Sequence, residues 1–332
     1  MRFFEQQREA RRRTQVLVFL FFLTVLALVL AINASLALTW RLIAGRLPFP
    51  DGFFAVNTAV TLLFVLGGWW IETSSLKGGG EKLARRAGAR EARPQQHDAE
   101  RRLCNIADEL AIAAGFRSPQ VMVLDRMESI NAFAAGWSAH DSVIAVTQGA
   151  LERLNRDELQ GLLAHEFGHI SEGDTRLNMR LAGMVSGLEM LFVLGQRMCE
   201  KDEQGRRSAL ALPGAAILLA GSLGWLAGRA LKAAVSRQRE YLADARAVQF
   251  TRSRDGLGGV LRKIAGEDAA RMARQLPSAM QHMLLVSQAG QAHWLDSHPP
   301  LVERIRRIYG RPMAALPVNA ETFEATRPQA IS

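Results

Sequence analysis

Between Thr14 and Trp40 the sequence carries no Asp, Glu, Lys or Arg, and between Gly52 and Ile71 it again carries none. As helices these runs are about 40 Å and about 30 Å long, enough to cross a bilayer, the first with tilt. A cleaved signal peptide is the competing reading of the first run. The run is too long for one, and a second follows closely. An N-terminal membrane hairpin over residues 1–75 is therefore expected. Arg2, Arg8, Arg11, Arg12 and Arg13 precede it, and Lys77, Lys82, Arg85, Arg86 and Arg90 follow it. Only Arg41 and Arg46 lie between. The positive-inside rule then puts both outer flanks in the cytoplasm and the short connector outside. The same flanks account for the net charge of +9. No stacked-aromatic or Gly-rich phosphate motif accompanies that charge, so the expected partner is the lipid bilayer and not nucleic acid. Cys104 and Cys199 are too few for a disulfide framework and lack metal-type neighbours.

Residues 76–98, with Gly78-Gly79-Gly80 and a charged stretch to Pro94, read as a linker or an exposed helix leaving the membrane. From Ala99 to Ala114 the period is helical: Leu103, Ile106, Leu110 and Ala114 share a side, and Gly115 ends the helix. Short strands are expected at Gln120–Leu124, Ala132–Trp137 and Ser142–Thr147. A helix, a small sheet and further helices make an α+β, mainly helical fold. The small side chains of Asn131-Ala132-Phe133-Ala134 suit an edge strand that pairs with an extended substrate backbone; the alternative is an ordinary interior strand. Two later apolar runs follow, Leu181–Gln196 interrupted by Glu189 and Ser208–Gly228 carrying Pro213. The first is marginal as a span and the second adequate. Beyond Gly228 a helix is expected through about Phe250, broken at Gly256–Gly259. Helices then run through Lys263 and Met283, and a short one covers Leu301–Tyr309. The tail 311–332, with Pro317 and Pro328, reads as disordered.

His165-Glu166-Phe167-Gly168-His169 carries the chemistry. Histidines at i and i+4 lie one above the other on a helix, so both imidazoles can reach one metal while the Glu between them holds a reactive water. Asn155 is placed as an N-cap with Glu158 at N3, Leu154 and Leu159 as a hydrophobic staple, and Gly173 as a stop. An ordinary helix with two histidines is the bland alternative. A catalytic zinc wants a third protein ligand. The metzincin pattern fails, because Glu172 and Thr175 stand where Gly and His are needed. Two carboxylates remain. Glu189 has a thermolysin-like spacing but sits in an apolar run. Glu240 is favoured, since Asp244 lies one turn on and can accept the second N–H of a ligand histidine. A solvated helix face would give the same spacing. About a dozen residues separate His169 from the run at Leu181, and about as many separate Gly228 from Glu240, less than about 20 Å each if helical.

Four pieces together carry a resemblance: Asn131-Ala132-Phe133-Ala134, the His165–His169 motif, Ser236–Asp244, and His298-Pro299-Pro300-Leu301 with Arg304-Ile305. In this order they resemble the HtpX family of bacterial membrane zinc metallopeptidases, related to the CAAX prenyl endopeptidases. The resemblance implies a zincin-type domain over residues 99–310, interrupted by apolar helices at about 181–196 and 208–228. It implies one Zn2+ per chain on His165, His169 and Glu240, Glu166 as the base, and Asp244 orienting a ligand imidazole. It brings the His298-Pro299-Pro300 segment near the site, so His298 or Arg304 could donate to the oxyanion; a capping turn with a surface Arg is the alternative. The implied protein is a multi-pass inner-membrane endopeptidase with a cytoplasmic catalytic domain. Its implied substrates are misfolded or membrane proteins. A non-proteolytic zinc-binding scaffold or chaperone and a CAAX-type prenyl-protein protease are the other readings. An intact Glu166 speaks against the scaffold, because a structural site needs no base.

Overall fold

The computed structural model describes residues 2–201, 210–266 and 298–316, and their side chains except 2–15, 17, 234–236 and 238. The chain divides into two compact units, one of Met1–Ser75 with Arg180–Leu231 and one of Leu76–Met179 with Lys232–Ser332.

The first unit holds α1 (Arg2–Ala44) and α2 (Phe53–Ser75), most of α7 (Asp174–Cys199) and the first part of α8 (Ala211–Thr251). Among the described residues, four stretches are long and apolar enough to cross a membrane: Val18–Ala44, Phe53–Arg86, Asp174–Cys199 and Ala211–Ala233. The marginal run thus belongs to a full-length helix despite Glu189. Phe21 of α1 sets its ring 5.8 Å from that of Trp69 of α2, and Asn33 Nδ2 donates to Thr58 Oγ1 at 3.0 Å. Glycine brings α7 close to α2, since a Cβ on Gly187 would stand 2.4 Å from the Val65 carbonyl oxygen. Without a hydrophobic drive between helices in lipid, such close approach is what packs them.

The second unit is an α+β layer arrangement. Its sheet has the order β1-β2-β4-β3, built from Arg90–Glu91, Gln120–Leu124, Val143–Thr147 and Ala132–Ala135 respectively. β2 and β4 run parallel, and the other pairings are antiparallel. β3 is an edge strand of this sheet. It stops short of the expected Trp137 because Gly136 turns the chain at φ +155° and the Trp137 indole donates to the Leu76 carbonyl at 2.8 Å. Helices α4 (Asp98–Ala114), α5 (Gln148–Arg153), α6 (Arg156–Ser171), α9 (Asp255–Gly266) and α10 (Leu301–Tyr309) surround one core, with Leu103, Ile106, Leu163, Phe167, Val260 and Ile305 among its buried members.

Two expectations are corrected here. Residues 76–98 are not a linker: they hold α3 (Gly79–Arg86) and β1. Gly80 permits close packing, since a Cβ there would lie 2.2 Å from the Ala135 carbonyl oxygen. Arg90 ties β1 down by donating to both oxygens of Glu100 and both of Asp125. Nor does Gly256–Gly259 break a helix. The break lies just before, where Arg252 takes φ +53°, and the glycines sit inside α9. They let α9 approach α6: a Cβ on Gly161 would stand 2.2 Å from the Leu257 nitrogen, and one on Gly256 would stand 2.7 Å from the Asp157 carbonyl oxygen. The helix expected through Met283 and residues 317–332 of the expected disordered tail lie outside the described residues, while residues 311–316 of that tail are ordered, with the Leu316 N–H donating to the Arg262 carbonyl at 2.9 Å.

Candidate metal centre

Helix α6 is fixed at its start by a reciprocal cap. Asn155 Oδ1 accepts from the Glu158 N–H and Glu158 Oε2 accepts from the Asn155 N–H, both at 2.9 Å. Lys263 of α9 donates to Glu158 at 2.7 Å and to the Arg153 carbonyl at 2.8 Å. The helix ends at Ser171, Gly173 reverses the chain at φ +72°, and α7 starts at once with Asp174.

On this helix the Nε2 atoms of His165 and His169 face each other at 3.1 Å. Glu240 of α8 faces both, with Oε2 3.6 Å from His165 Nε2 and Oε1 3.4 Å from His169 Nε2. Each imidazole turns its other nitrogen to a carboxylate. His165 Nδ1 lies 3.0 Å from Asp244 Oδ1, and His169 Nδ1 lies 2.9 Å from Asp174 Oδ2. A carboxylate only accepts, so in the neutral rings Nδ1 carries the hydrogen and Nε2 keeps its lone pair. Two lone pairs and a carboxylate then converge in a buried space. Glu240 Oε2 has no well-aligned hydrogen-bond partner among the described residues. Two imidazole nitrogens and a carboxylate oxygen set this close together suit a divalent cation. His165, His169 and Glu240 form the cluster with metal-holding spacing among the described residues, and Glu189 is not part of it.

Charge is organised around this set. Arg304 of α10 is fully buried; its Nε and Nη2 donate to Asp244 at 2.9 and 2.6 Å, and its Nη1 stands 3.2 Å from Glu240 Oε2. Its guanidinium is thus committed to carboxylates, which differs from the oxyanion donor considered for it from sequence. His298 places Nδ1 3.1 Å from Glu240 Oε2, and neither of its ring nitrogens has a well-aligned hydrogen-bond partner among the described residues. Burial pushes Glu240 up, but His298, Arg304 and the two imidazoles outweigh it and hold the carboxyl well below its ordinary value. Burial would lower both ligand imidazoles. Asp244 and Glu240 raise His165 above its ordinary value, and Asp174 and Glu240 raise His169 further. Glu166 goes the other way from Glu240. Burial raises it, and the nearby Glu240 adds to the rise.

The edge strand reaches the same place. The Thr147 N–H donates to the Asn131 carbonyl at 3.1 Å, so Asn131 faces β4 and alternation turns the N–H and C=O of Ala132 and Ala134 to the open side. The Ala132 N–H is taken by Asn131 Oδ1 at 2.9 Å, and Ala134 lies beside the Glu166 carboxylate. Phe133 is buried between them.

Asp174 is the site residue that sequence reading passed over. Gly173 signals a helix end, and beyond His169 the sequence draws attention to Glu172 and Thr175 by the metzincin spacing and to Glu189 and Glu240 as ligand carboxylates. The available signal was an acidic residue one turn beyond a ligand histidine, just past a left-handed glycine.

Two histidines on a capped helix, a glutamate brought to them by α8 and an edge strand beside them make the site of a zincin-type metallopeptidase. The model of peptidase family M48 matches residues 97–311, and the chain belongs to that family. Within it the chain is HtpX-like. A protein of Dictyoglomus turgidum named "Protease HtpX homolog" is 36% identical over 214 residues, 62% of this chain and 68% of its own length. One of the same name from Dictyoglomus thermophilum is 29% identical over 313 residues, 92% of this chain and 94% of its own. Another, from Thermoanaerobacter pseudethanolicus, is 36% identical over 229 residues, 67% and 74% respectively. The chain is a membrane metalloprotease.

Proposed function

We propose a zinc-dependent endopeptidase of the bacterial inner membrane that cleaves misfolded or membrane proteins on the cytoplasmic side. The observation that carries it is the convergence of three groups. A ligand set of two imidazoles and a carboxylate suits zinc. A buried carboxyl, Glu166, sits beside it with its affinity for protons raised. An edge strand offers its outward backbone groups next to that carboxyl.

Zinc, when bound, supplies Lewis acidity toward the scissile carbonyl and toward a water molecule. The rest falls to the chain. A substrate strand displaces the side-chain oxygen of Asn131 from the Ala132 N–H and pairs with the outward backbone groups of Ala132 and Ala134, which selects extended shape over sequence. Glu166 takes the proton of the attacking water as the C–O bond forms. It delivers that proton to the amide nitrogen as the C–N bond breaks. His298, with Nε2 uncommitted among the described residues, is the donor for the developing oxyanion. Arg304 holds Asp244 and Glu240 in place behind the ligands.

The cytoplasmic side follows from the Arg- and Lys-rich flanks of the hairpin. The short spacing in sequence between the ligands and the later apolar runs directs the site to juxtamembrane segments. Single-cysteine labelling tests this in a background of Cys104→Ser and Cys199→Ser. Asp51→Cys, exposed in the hairpin connector, should react with an impermeant maleimide in intact spheroplasts. Asn105→Cys, exposed on α4, should react only after permeabilisation. The reverse pattern overturns the orientation and the substrate class together.

A further inference from the structure

Each of the two histidines is backed by a carboxylate, and each carboxylate is backed by an arginine. For His165 the chain is Asp244 and then Arg304. For His169 it is Asp174, held on its other oxygen by Arg239. The second relay is assembled from different parts of the fold. Asp174 is the first residue of α7, delivered by the left-handed turn at Gly173, and Arg239 neighbours Glu240 on α8. Helix α8 therefore presents Arg239 toward Asp174, Glu240 toward both Nε2 atoms and Asp244 toward His165.

We propose that Asp174 is a positioning residue of the metal site: its carboxylate, clamped by Arg239, fixes the ring orientation and tautomer of His169.

The geometry supports this in three ways. Asp174 is 3% exposed, so its charge has no water to face and needs the partners it has. Its Oδ2 accepts from the ring nitrogen that does not face Glu240, which leaves Nε2 as the lone pair aimed at the metal position. His169 is also the more exposed of the two ligand rings, its side chain 13% exposed against 0% for His165. Packing orients His165 from all sides, whereas His169 depends more on its hydrogen bond. An acidic residue at a helix start is also favoured by the helix dipole. That role would change stability without changing the metal, so the test has to read the metal directly.

The inference rests on the proposed ligand set, and the experiment separates the two. Full-length protein in detergent, stripped of metal, is titrated with Co2+ and then with Zn2+ in competition, reading the cobalt ligand-field spectrum. His169→Ala is the control for the ligand set and should lose the spectrum. Asp174→Ala should weaken affinity by about 10–100-fold and alter the band pattern. Asp174→Asn keeps an acceptor for the Nδ1 hydrogen and should recover affinity to within about fivefold of wild type, a rescue that a charge at a helix end would not show. Asp174→Ser suits a helix start but is too short to reach the ring, so it should behave like Asp174→Ala and covers the case in which Ala does not fold. If His169→Ala loses the spectrum while Asp174→Ala and Asp174→Ser bind like wild type, the positioning role is wrong and the ligand set stands. Asn no better than Ala or Ser also overturns it. If His169→Ala binds like wild type, the ligand set itself is wrong.

Discussion

The two units handle solvent in opposite ways. In the hairpin the large apolar side chains point outward: Leu63 is 70% exposed, and only 17% of the most apolar window of its stretch is buried. In the catalytic unit the ionisable side chains point inward, with His165, Glu166, Glu240, Asp244 and Arg304 all buried. An apolar surface of that size is stable only against lipid. A buried charge is tolerated only when it is paired. In the hairpin, each residue answers to the bilayer separately, so substitution effects should be local and set by polarity. In the site, each residue answers to another, so removing one should strand its partner.

The largest expected effect is at the interdependent end. Glu240→Ala should lower zinc affinity by more than about 100-fold, since it removes a ligand and leaves Arg304 and His298 facing a buried gap. Glu189→Ala should bind zinc as wild type does. Metal analysis after dialysis distinguishes them, and zinc loss from the Glu189 variant alone would reverse the assignment. Next is the hairpin. Leu63→Lys should cost about 2.5–3.5 kcal/mol of membrane insertion and cut the yield in the membrane fraction. Ile112→Lys, on a surface residue of α4 with 83% exposure, should leave yield unchanged. Equal losses would erase the contrast between lipid-facing and water-facing apolar groups.

Close helix packing gives a smaller effect. Gly161→Ala should destabilise by about 1–3 kcal/mol, because the new methyl meets the α9 backbone. Gly67→Ala in the hairpin meets nothing within 4 Å and should be neutral or slightly stabilising. Melting temperatures in detergent would show it. The smallest effect is pH-dependent. Glu100, nearly buried, accepts from Arg90 and from the Arg93 N–H, and these hold it below its ordinary value despite burial. Its contribution is therefore present above the unfolded carboxyl value of about 4.3 and is lost as pH falls through the lower folded value. The stability gap between wild type and Glu100→Gln should be widest near neutral pH and close in acid. A gap that widens in acid would contradict the sign.

Much of this was legible in residue order because it is local. Uncharged runs longer than a bilayer show where the hairpin lies. Asn155 with Glu158 marks the start of α6, and i, i+4 spacing puts His165 and His169 on one face. What was illegible depends on partners distant in sequence. Gly80 and Gly256 look like linker and breaker residues until Ala135 and Asp157 are seen against them. Arg304 reads as a catalytic cation until Asp244 and Glu240 occupy its guanidinium. Asp174 is acidic and close to His169 in sequence, but its role shows only once the chain reverses at Gly173 and returns a carboxylate to that ring.

The central claim, that a metal on His165, His169 and Glu240 and the proton carrier Glu166 together hydrolyse peptides, is tested most directly by Glu166→Gln. Purified in detergent, wild type and variant are compared for zinc content and for cleavage of casein or of the chain itself. The variant should hold one zinc per chain as wild type does, because no ligand has changed, and cleavage should fall to background, because the proton has no carrier. A fully zinc-loaded Glu166→Gln protein that still cleaves would contradict the account.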